Sequence, residues 1–428
     1  MIYKFVTRCL GDVKTMSKLA KNIKKMAYNV KNERYFSVES KERSVKLLVI
    51  GGGTGGCSIS AKLTSKLGKN NVVIVEPSDV HYYQPMFTLI GGGIKKLEDS
   101  RKSMGSVLPK NAEWIKDSVQ RIEPQGNFVT TQNGMKINYE FLVVAAGLKT
   151  DYTKIPRFIR CIKHARKWSL FELFAGLRWE NNGKRGKARL MYHTSLSKLF
   201  GVEKYSDSLW KICKTRGIEV TLNSNLIGIE PDRKIAYFEN LDSSTYTETP
   251  VPYSVLHVTP PMGPPQFLRC SPMICDTAGF LDVDSNTLRH KFFRNIFGIG
   301  DCANLPTSKT AAAIASQCGV LYDNLLLAMS DPDQAPTSFY NGYTSCPLIT
   351  GYNKCILAEF DYSMQPLETF PIDQSKESFL MFFLKKNIMP LLYWHLMLRG
   401  YWNGPETMRR VFHMDFKEKK SVNAQVSS

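Results

Sequence analysis

A glycine-rich run follows a short apolar stretch near the start of the chain and constrains its fold more than any other feature. Residues 47–56 are LLVIGGGTGG, in which Gly51, Gly53 and Gly56 have the spacing G-x-G-x-x-G. This spacing allows a tight turn, close approach of a pyrophosphate and close packing of a helix on a strand. We therefore expect a buried parallel strand over residues 47–50 and a helix over residues 57–67, whose N-terminal N–H groups point at phosphate.

An acidic residue stands at the distance that this type of nucleotide site requires. A second apolar strand is predicted over residues 71–75, and Glu76 follows it. A carboxylate there accepts hydrogen bonds from an adenosine ribose. The order of strand, glycine turn, helix, strand and acid predicts a dinucleotide-binding domain. The alternative is a glycine-rich turn in some other α/β protein.

Length, charge and cysteine usage narrow the class of protein. A chain of 428 residues is expected to form two or three domains, and its formal charge of +19 favours anionic partners. No zinc-finger spacing and no RNA-binding signature occurs, so nucleic acid is not the expected partner and no metal site is predicted. The sequence contains no apolar run of about 18 residues, so no transmembrane helix is predicted. The ten cysteines include no C-x-x-C pair, which suits a reducing compartment.

The first 43 residues differ in composition from the rest of the chain. Basic residues such as Lys4, Arg8, Lys24 and Lys25 outnumber acidic ones and alternate with apolar residues. No long apolar stretch typical of a secretory signal is present. The composition predicts a mitochondrial transit peptide over residues 1–43. A solvated basic tail is the alternative.

A second glycine turn lies much later in the chain. Residues 295–301, NIFGIGD, predict a strand that ends in a turn carrying Asp301, followed by a helix of small residues over 310–318. Asp301 suits a hydrogen bond to a ribityl hydroxyl, and the helix N-terminus suits a phosphate or the flavin. An aspartate that only caps the helix is the alternative. Together the two glycine turns favour FAD over NAD.

The middle of the chain predicts further α/β structure. Residues 80–87 (VHYYQPMF) suggest a loop that lines a site, and residues 136–147 a pair of strands. Strands are expected over 187–194, 218–222 and 226–238, a helix over 204–215, and an apolar strand entering a proline-rich turn over 253–265. A helix is also possible over 161–179. No second G-x-G-x-x-G occurs, so no NAD(P)H site is predicted here.

Two C-terminal stretches carry the remaining signals. Cys346 precedes a proline between turn residues in GYTSCPLITGYN, a setting that favours exposure over burial in a strand; an ordinary structural cysteine is the alternative. Residues 379–402 combine large apolar residues with Lys385, Lys386 and Arg399 and are interrupted by Pro390. They suggest an interfacial helix pair on a bilayer, with a core-packing helix as the alternative.

With these motifs in hand, the chain resembles the mitochondrial sulfide:quinone oxidoreductase family of the flavin disulfide reductase superfamily. The matching segments cover most of residues 45–150 and 187–413. They are VIGGGTGG, IVEPSDVHYYQP, EWIKDSV, HVTPPM, FGIGDCANLPTSKTAAA, YTSCPLITGYN and LETFPIDQSKE through LRGYWNGP. The resemblance implies FAD as the cofactor, oxidation of hydrogen sulfide, transfer of electrons to ubiquinone at the inner membrane, and release of sulfane sulfur to glutathione or sulfite.

The resemblance also implies roles for individual residues. Cys346 matches one of the family's two redox cysteines and is expected to take sulfide attack and hold a persulfide, with Lys309 and Lys385 as candidate sources of positive charge. Expected FAD contacts are Gly51, Gly53, Thr54, Gly55, Glu76, Gln84, Val119, Asp301, Lys309, Thr310, Ala311 and Ala312.

One departure from the family concerns the catalytic chemistry itself. The family's other redox cysteine lies in a Cys-Ala-Gly-Ala-Pro-Gln-Lys motif, which this chain lacks; between residues 151 and 187 it is shorter by roughly forty residues, about one strand–helix unit. Residues 157–182 stand there instead and include Cys161, which no motif marks as the missing partner. Besides an active enzyme, an inactive flavin-binding paralogue, a splice form or a faulty gene model therefore remains open.

The expected architecture is α/β, with two dinucleotide-binding domains of which the second is shortened. The FAD domain is expected over residues 44–150 and 290–345, and the second domain over 151–289. A redox-cysteine and membrane or quinone segment is expected over residues 346–428.

Overall fold

A computed structural model describes residues 42–155 and 189–414 of the chain. The predicted transit peptide, residues 1–43, lies almost wholly outside these residues. Three other features lie wholly outside them: Cys161, the helix expected over 161–179 and the divergent stretch 157–182. The strands are β1 Glu42–Ile50, β2 Val72–Val75, β3 Val80–Tyr82, β4 Arg101–Ser103, β5 Glu113–Ile115, β6 Val119–Glu123, β7 Phe128–Thr131, β8 Lys136–Val144, β9 Lys149–Thr150, β10 Leu190–His193, β11 Ile218–Thr221, β12 Ser224–Glu230, β13 Ile235–Asn240, β14 Glu248–Pro252, β15 Met262–Gly263, β16 Ile296–Gly298, β17 Thr344–Gly351 and β18 Lys354–Phe360.

The helices are mostly short, apart from three that pack on the sheets. The α-helices are α1 Thr54–Leu67, α2 Phe87–Gly91, α3 Met104–Val107, α4 Glu203–Thr215, α5 Gln266–Arg269, α6 Ala311–Ser330, α7 Phe379–Phe383, α8 Met389–Leu392 and α9 Glu406–Phe412. Single 3-10 turns lie at Gln84–Met86, Leu97–Ser100, Tyr152–Lys154 and Pro272–Ile274, and π-helical turns at Leu384–Ile388 and Tyr393–Met397.

The main sheet is built around the apolar strands that the sequence predicts. Its order is β5-β2-β1-β8-β7-β6, and β16 also pairs with β8. The pairs β5–β2, β2–β1, β1–β8 and β8–β16 are parallel, whereas β6, β7 and β8 form an antiparallel meander. Because parallel strands end at the same edge, the turns after β1, β2, β8 and β16 meet there.

Helices α1 and α6 pack against each other. Helix α6 is long and apolar enough, by length and composition, to cross a membrane, although the sequence had predicted no such helix. Its buried residues include Ala313, Leu321 and Leu325, and it contacts β17. We interpret α6 as a core helix of the folded domain.

Residues 189–252 form a smaller unit. Strands β10 and β11 are parallel and pack against α4, and β12, β13 and β14 form an antiparallel sheet. These elements lie within residues 151–289, where the second dinucleotide-binding domain was predicted, and the parallel pair with its helix is their α/β part.

Some local predictions were wrong. Residues 80–87 were expected to be a loop, but they form β3, a 3-10 turn and the start of α2. The expected strand pair over 136–147 is a single strand, β8, because one edge of it pairs with β1 along its whole length. The strand predicted from Tyr253 is absent among the described residues, since the antiparallel pairing of β14 ends at Pro252.

In the C-terminal segment, residues 379–402, consecutive helical turns run from Phe379 to Met397 in place of the predicted helix pair. Pro390 lies in the first turn of α8, where its missing N–H is tolerated, and π-helical turns flank that helix. Met381, Phe382, Tyr393 and Met397 join the same hydrophobic core as the main sheet. The segment therefore packs on the first domain along one face.

Candidate functional site

The glycine loop, residues 51–56, has the geometry that a bound pyrophosphate requires. Gly51 has φ +103°, and a Cβ there would lie 2.5 Å from the carbonyl oxygen of Ala145. At Gly56 a Cβ would lie 1.8 Å from the carbonyl oxygen of Gly51, so only glycine lets α1 start so close to β1. At Gly53, by contrast, no heavy atom lies within 4 Å of the position of a Cβ. Open space therefore faces the N-terminus of α1.

The electrostatics of this helix N-terminus favour an anion. Helix α1 starts at Thr54, three residues before the predicted start, without a side-chain cap and without an acidic residue in its first turn. The unsatisfied N–H groups and the helix dipole then present partial positive charge to the open space. Gly55 is buried here, and a Cβ on it would lie 3.1 Å from the side chain of Ile299.

Glu76 lies beside the loop, directly after β2, as predicted. Its Oε2 accepts a 2.7 Å hydrogen bond from the N–H of Gly52, and its Oε1 accepts one of 2.7 Å from the N–H of Ser78. The carboxylate thus holds the loop in shape and keeps further lone pairs for ribose hydroxyl groups.

Asp301 lies after β16 at the same edge of the sheet. It lines a small cavity together with Gly300, Lys309, Thr310 and Gln317. Burial raises the pKa of the Asp301 carboxyl, and the nearby Lys309 ammonium opposes that rise. The Nζ of Lys309 donates to the carbonyl oxygen of Ala303 over 2.9 Å. A partly buried carboxylate that faces a cavity beside a helix N-terminus can receive a hydroxyl group.

The alternative role for Asp301 as a helix cap is wrong. Thr310 is the N-cap of α6, and its hydroxyl accepts a hydrogen bond from the N–H of Ala313. Ala311 and Ala312 form the first turn of this helix, which runs twelve residues beyond the predicted end because its later turns pack in the core. Thr310 lines the same cavity as Asp301, and contact of these residues with FAD stays a prediction.

Two other predicted FAD contacts lie on separate elements of the structure. Gln84 is exposed in the 3-10 turn that precedes α2. Val119 is buried at the start of β6, a few residues after the carboxyl end of β5. Their contact with a cofactor stays a prediction.

Cys346 lies inside strand β17, so the prediction of a turn position was wrong. It pairs with Ala358 of β18, because residues far along the chain supply a partner for the strand. Its side chain is only partly exposed, and burial raises the pKa of the Cys346 thiol to about 11. The Lys385 ammonium and the Ser308 hydroxyl oppose that rise.

Lys385 and Lys309 have different neighbours. Lys385 is 4% exposed and donates to the carbonyl oxygen of Pro347, the residue after Cys346. Lys309 instead neighbours Asp301 and lies 4.9 Å from the ring centroid of Phe280. Of the two predicted sources of positive charge, Lys385 is therefore the one that acts on Cys346.

None of the eight cysteines in the described residues forms a disulfide. The Lys385 ammonium also opposes the rise in the pKa of Cys355 that burial causes. Cys355, however, pairs with Ile349, which lies three residues beyond Cys346 along β17. Successive residues of a strand point to opposite faces, so Cys346 and Cys355 point to opposite faces of the hairpin. Cys355 cannot bridge to Cys346 without movement of the backbone.

A buried polar cluster behind the glycine loop was missed by the sequence analysis. His81 is 3% exposed; its Nδ1 lies 3.0 Å from the carbonyl oxygen of Gly52 and its Nε2 lies 2.6 Å from the hydroxyl oxygen of Tyr393. The Tyr393 hydroxyl lies 2.8 Å from the hydroxyl of Thr54. In the sequence, this cluster is indicated only by the histidine and two tyrosines that follow one another in VHYYQP, residues 80–85.

The other face of the C-terminal segment is apolar and exposed. The exposed side chains are Phe379, Leu380, Phe383, Leu391, Leu396 and Tyr401. Such a face beside Lys386 and Arg399 resembles that of a helix lying at a membrane interface.

The residues present fit FAD. The glycine loop leaves room for a pyrophosphate at the N-terminus of α1, Glu76 is placed for the ribose, and Asp301 faces the cavity at the start of α6. No group of three or more His, Cys, Asp or Glu side chains suited to a metal ion occurs in the described ranges.

Comparison with known proteins agrees with this architecture. Residues 45–173 match the pyridine nucleotide-disulphide oxidoreductase family. The solved structure of the sulfide:quinone oxidoreductase from Aquifex aeolicus superposes with a TM-score of 0.68 at 19% identity, over 91% of this chain and 100% of that one. At this identity the likeness shows the fold, and it confirms the predicted α/β class.

Curated relatives are closer in sequence. The mitochondrial sulfide:quinone oxidoreductase of Dictyostelium discoideum is 38% identical over 85% of this chain and 88% of its own length. The mouse protein of the same name is 44% identical over 407 positions, which span 86% of this chain and 90% of the mouse protein. At this identity and coverage, the chain belongs to the mitochondrial sulfide:quinone oxidoreductase family.

Proposed function

We propose that this chain oxidises hydrogen sulfide with the help of bound FAD and passes two electrons to ubiquinone. The observation that carries the proposal is the 44% identity with the mouse sulfide:quinone oxidoreductase over most of both chains. The chain is a flavin-dependent oxidoreductase of the sulfide:quinone type, and its relatives place it in the mitochondrion.

The residues at the carboxyl edge of the main sheet would hold FAD. The N–H groups at the start of α1 would bind the pyrophosphate, with Gly51, Gly53, Thr54 and Gly55 shaping the approach, and Glu76 would bind the ribose. Asp301 would bind the ribityl chain, and the first turn of α6 would face the flavin. When bound, FAD supplies a two-electron acceptor that is reoxidised by the quinone.

Cys346 Sγ is proposed as the atom that receives the sulfur of sulfide and holds it as a persulfide. Formation of the new S–S bond removes two electrons and two protons from the two sulfur groups. The quinone gains two electrons and two protons and becomes the quinol. The sulfane sulfur then leaves on glutathione or sulfite, which regenerates the Cys346 thiol.

The protonation of Cys346 limits this chemistry. Burial raises the pKa of its thiol to about 11, so the reactive thiolate is scarce at neutral pH. Lys385 is buried beside it and favours the thiolate and the anionic persulfide that follows. A cation at this point also attracts the anion HS⁻.

The missing cysteine motif changes which sulfur species can form. The match to the mouse relative spans 407 positions, whereas 86% of 428 residues is about 368, so about 39 positions of the match have no counterpart in this chain. Without the second redox cysteine, an internal disulfide with Cys346 is not expected. A persulfide on Cys346 can still arise by transfer of sulfane sulfur from an external persulfide, which leaves as a thiol. That transfer passes no electrons to FAD, so oxidation of sulfide itself requires the direct step between sulfide and the Cys346 thiol with FAD as the two-electron acceptor.

Peripheral attachment to the inner membrane is also proposed. The exposed side chains of the C-terminal segment, among them Phe379, Phe383 and Leu391, form an apolar face with basic residues beside it. Insertion of this face into one leaflet would give a lipid-soluble quinone direct access to the protein.

The experiment is sulfide-dependent reduction of a short-chain quinone by the purified full-length chain, with flavin absorbance recorded in parallel. We expect turnover, and we expect Cys346→Ser to lower it by at least about a hundredfold with FAD retained. Cys270→Ser, at an exposed cysteine, is the matched control and should turn over normally. A chain that binds FAD but reduces no quinone would refute the proposed activity, and full activity of Cys346→Ser would refute the role of that cysteine.

A further inference from the structure

A chain of three hydrogen bonds, two of them buried, links the C-terminal segment to two residues of the glycine loop. It runs from Thr54 through Tyr393 and His81 to the carbonyl oxygen of Gly52. His81 and Tyr393 are 3% and 2% exposed, so neither is hydrogen-bonded to bulk water. Residues that lie 312 positions apart in sequence therefore share one polar cluster.

The direction of each hydrogen bond follows from the chemistry of the groups. The carbonyl oxygen of Gly52 can only accept, so Nδ1 of His81 carries a proton. Burial lowers the pKa of His81 to about 4, so the imidazole is neutral at physiological pH and its Nε2 accepts. The Tyr393 hydroxyl must then donate to Nε2, and the Thr54 hydroxyl donates to the oxygen of Tyr393.

The same contacts fix the part of the loop that faces the open space. The N–H of Gly52 is held by Glu76, and its carbonyl oxygen by His81 and by the thiol of Cys57, so the backbone of Gly52 is restrained on both sides. Thr54 is the first residue of α1 and is restrained through Tyr393. Gly53, with free space at its Cα, lies between these two fixed points.

Aromatic packing holds Tyr393 in place. Its ring centroid lies 4.4 Å from that of Tyr83 and 5.1 Å from that of Trp394. Trp394 also packs edge-on against His81. A change that removes only the hydroxyl of Tyr393 would therefore leave the ring and its packing intact.

We propose that Tyr393 is a positioning residue for the pyrophosphate of FAD, through which docking of the C-terminal segment is coupled to cofactor binding. The proposal rests on the proposed binding of FAD at the glycine loop. In this proposal the Tyr393 hydroxyl orients Thr54 and His81, and through them the N–H groups at the start of α1. Because coupling of two equilibria is reciprocal, bound FAD must in turn stabilise the C-terminal segment.

The first test measures the affinity of the full-length apoprotein for FAD by flavin fluorescence. We expect Tyr393→Phe to weaken FAD binding by about tenfold, since it leaves Nε2 of His81 without a donor and frees Thr54. Tyr401→Phe is the matched control, because Tyr401 is 78% exposed in the same segment, and it should bind FAD like the wild type. His81→Phe is a second variant and is expected to weaken binding to a similar degree.

The second test separates coupling from a purely structural role. Hydrogen exchange of backbone amides in residues 389–398 is measured with and without FAD. FAD should slow this exchange in the wild type and in Tyr401→Phe, and should slow it much less in Tyr393→Phe at saturating FAD.

The outcomes distinguish this proposal from the proposed function. If the wild type binds no FAD, both fail, and this is seen before any variant is compared. If the wild type binds FAD but Tyr393→Phe binds it within twofold of the wild type, the positioning role alone is wrong. It is equally wrong if FAD leaves the exchange of residues 389–398 unchanged in the wild type, or if Tyr393→Phe lowers apoprotein stability without changing FAD affinity.

Discussion

Lys385 donates a hydrogen bond to the carbonyl oxygen of Pro347, which places a buried ammonium group beside the residue that follows Cys346. No carboxylate is paired with Lys385 among the ion pairs of the described residues. Burial lowers the pKa of Lys385, while the thiols of Cys355 and Cys346 oppose that change. The ammonium therefore has thiols, rather than an acid, as its electrostatic partners.

Replacing Lys385 should raise the pKa of Cys346 further. In Lys385→Met the buried cation that opposes the rise is gone, so less thiolate is present at any pH below the pKa. A rise of one pKa unit lowers the thiolate fraction about tenfold. The rate of Cys346 alkylation by iodoacetamide, followed by mass spectrometry from pH 7 to pH 10, measures this.

The adjacent Lys386 provides the control. Its Nζ lies 5.7 Å from the ring centroid of Phe382, and Cys346 is not among its partners. Lys386→Met should alkylate at the wild-type rate. An unchanged rate in Lys385→Met would mean that Lys385 does not govern the protonation of Cys346.

Alanine at two glycines of the same loop should affect two different properties, FAD binding at Gly53 and stability of the apoprotein at Gly56. Gly53 has φ −71° and ψ −166°, which any residue adopts, and its added methyl group would meet no atom of the protein. Gly53→Ala should leave the free energy of unfolding of the apoprotein within about 0.5–1 kcal/mol of the wild type. It should weaken FAD binding by at least about tenfold, because the methyl group occupies the space proposed for the pyrophosphate.

Gly56→Ala is expected to behave differently. Its methyl group would lie 1.8 Å from the carbonyl oxygen of Gly51, so α1 must move away from β1, and the apoprotein should lose about 2–3 kcal/mol or more. Thermal unfolding of the apoprotein and FAD titration measure the two effects. If Gly53→Ala binds FAD normally, the pyrophosphate does not lie at this helix N-terminus.

The elements that the sequence predicted best depend on local chemistry. Strand β1, the glycine loop and helix α1 follow from apolar runs and from backbone conformations that only glycine adopts, as at Gly51. Asp301 was placed correctly for the same reason, since a Gly-x-Gly-Asp turn after an apolar strand is a local pattern.

What the sequence did not predict depends on contacts between distant residues. Cys346 was expected in a turn, yet β18 pairs with its segment and makes it a strand. The partners of His81 include Tyr393, and no periodicity relates residues so far apart. Pro390 suggested a break between two helices, but packing of Tyr393 and Met397 on the first domain keeps the helical turns continuous.

The exposed face of the C-terminal segment should govern binding to membranes. Phe379 and Phe383 are 63% and 42% exposed and lie one helical turn apart. The double variant Phe379→Ser, Phe383→Ser should weaken binding to vesicles containing anionic lipid by about 2 kcal/mol, or roughly thirtyfold. Cosedimentation with vesicles measures this.

A control for this variant lies elsewhere on the surface. Phe292 is 78% exposed outside the C-terminal segment, and Phe292→Ser should bind vesicles like the wild type. Binding that disappears at high salt and is unaffected by the Phe379 and Phe383 changes would show attraction by the net charge of +19 instead of insertion.

The stability of the protein should fall in mild acid because of His81. Burial lowers the pKa of His81 from 6.5 to about 4, so the unfolded chain takes up a proton at a pH where the folded chain does not. The contribution of His81 to the free energy of unfolding is therefore complete above about pH 7 and is lost as the pH falls toward 4, by about 3 kcal/mol in total.

Replacement by asparagine removes this titration, so His81→Asn should be less stable than the wild type at pH 7.5 and should lose less stability on acidification. His395→Asn, at an exposed position of the C-terminal segment, should keep the wild-type pH dependence. Denaturant unfolding at pH 7.5, 6 and 5 compares the three proteins, and equal pH dependence of the wild type and His81→Asn would contradict the assignment of a neutral, buried imidazole.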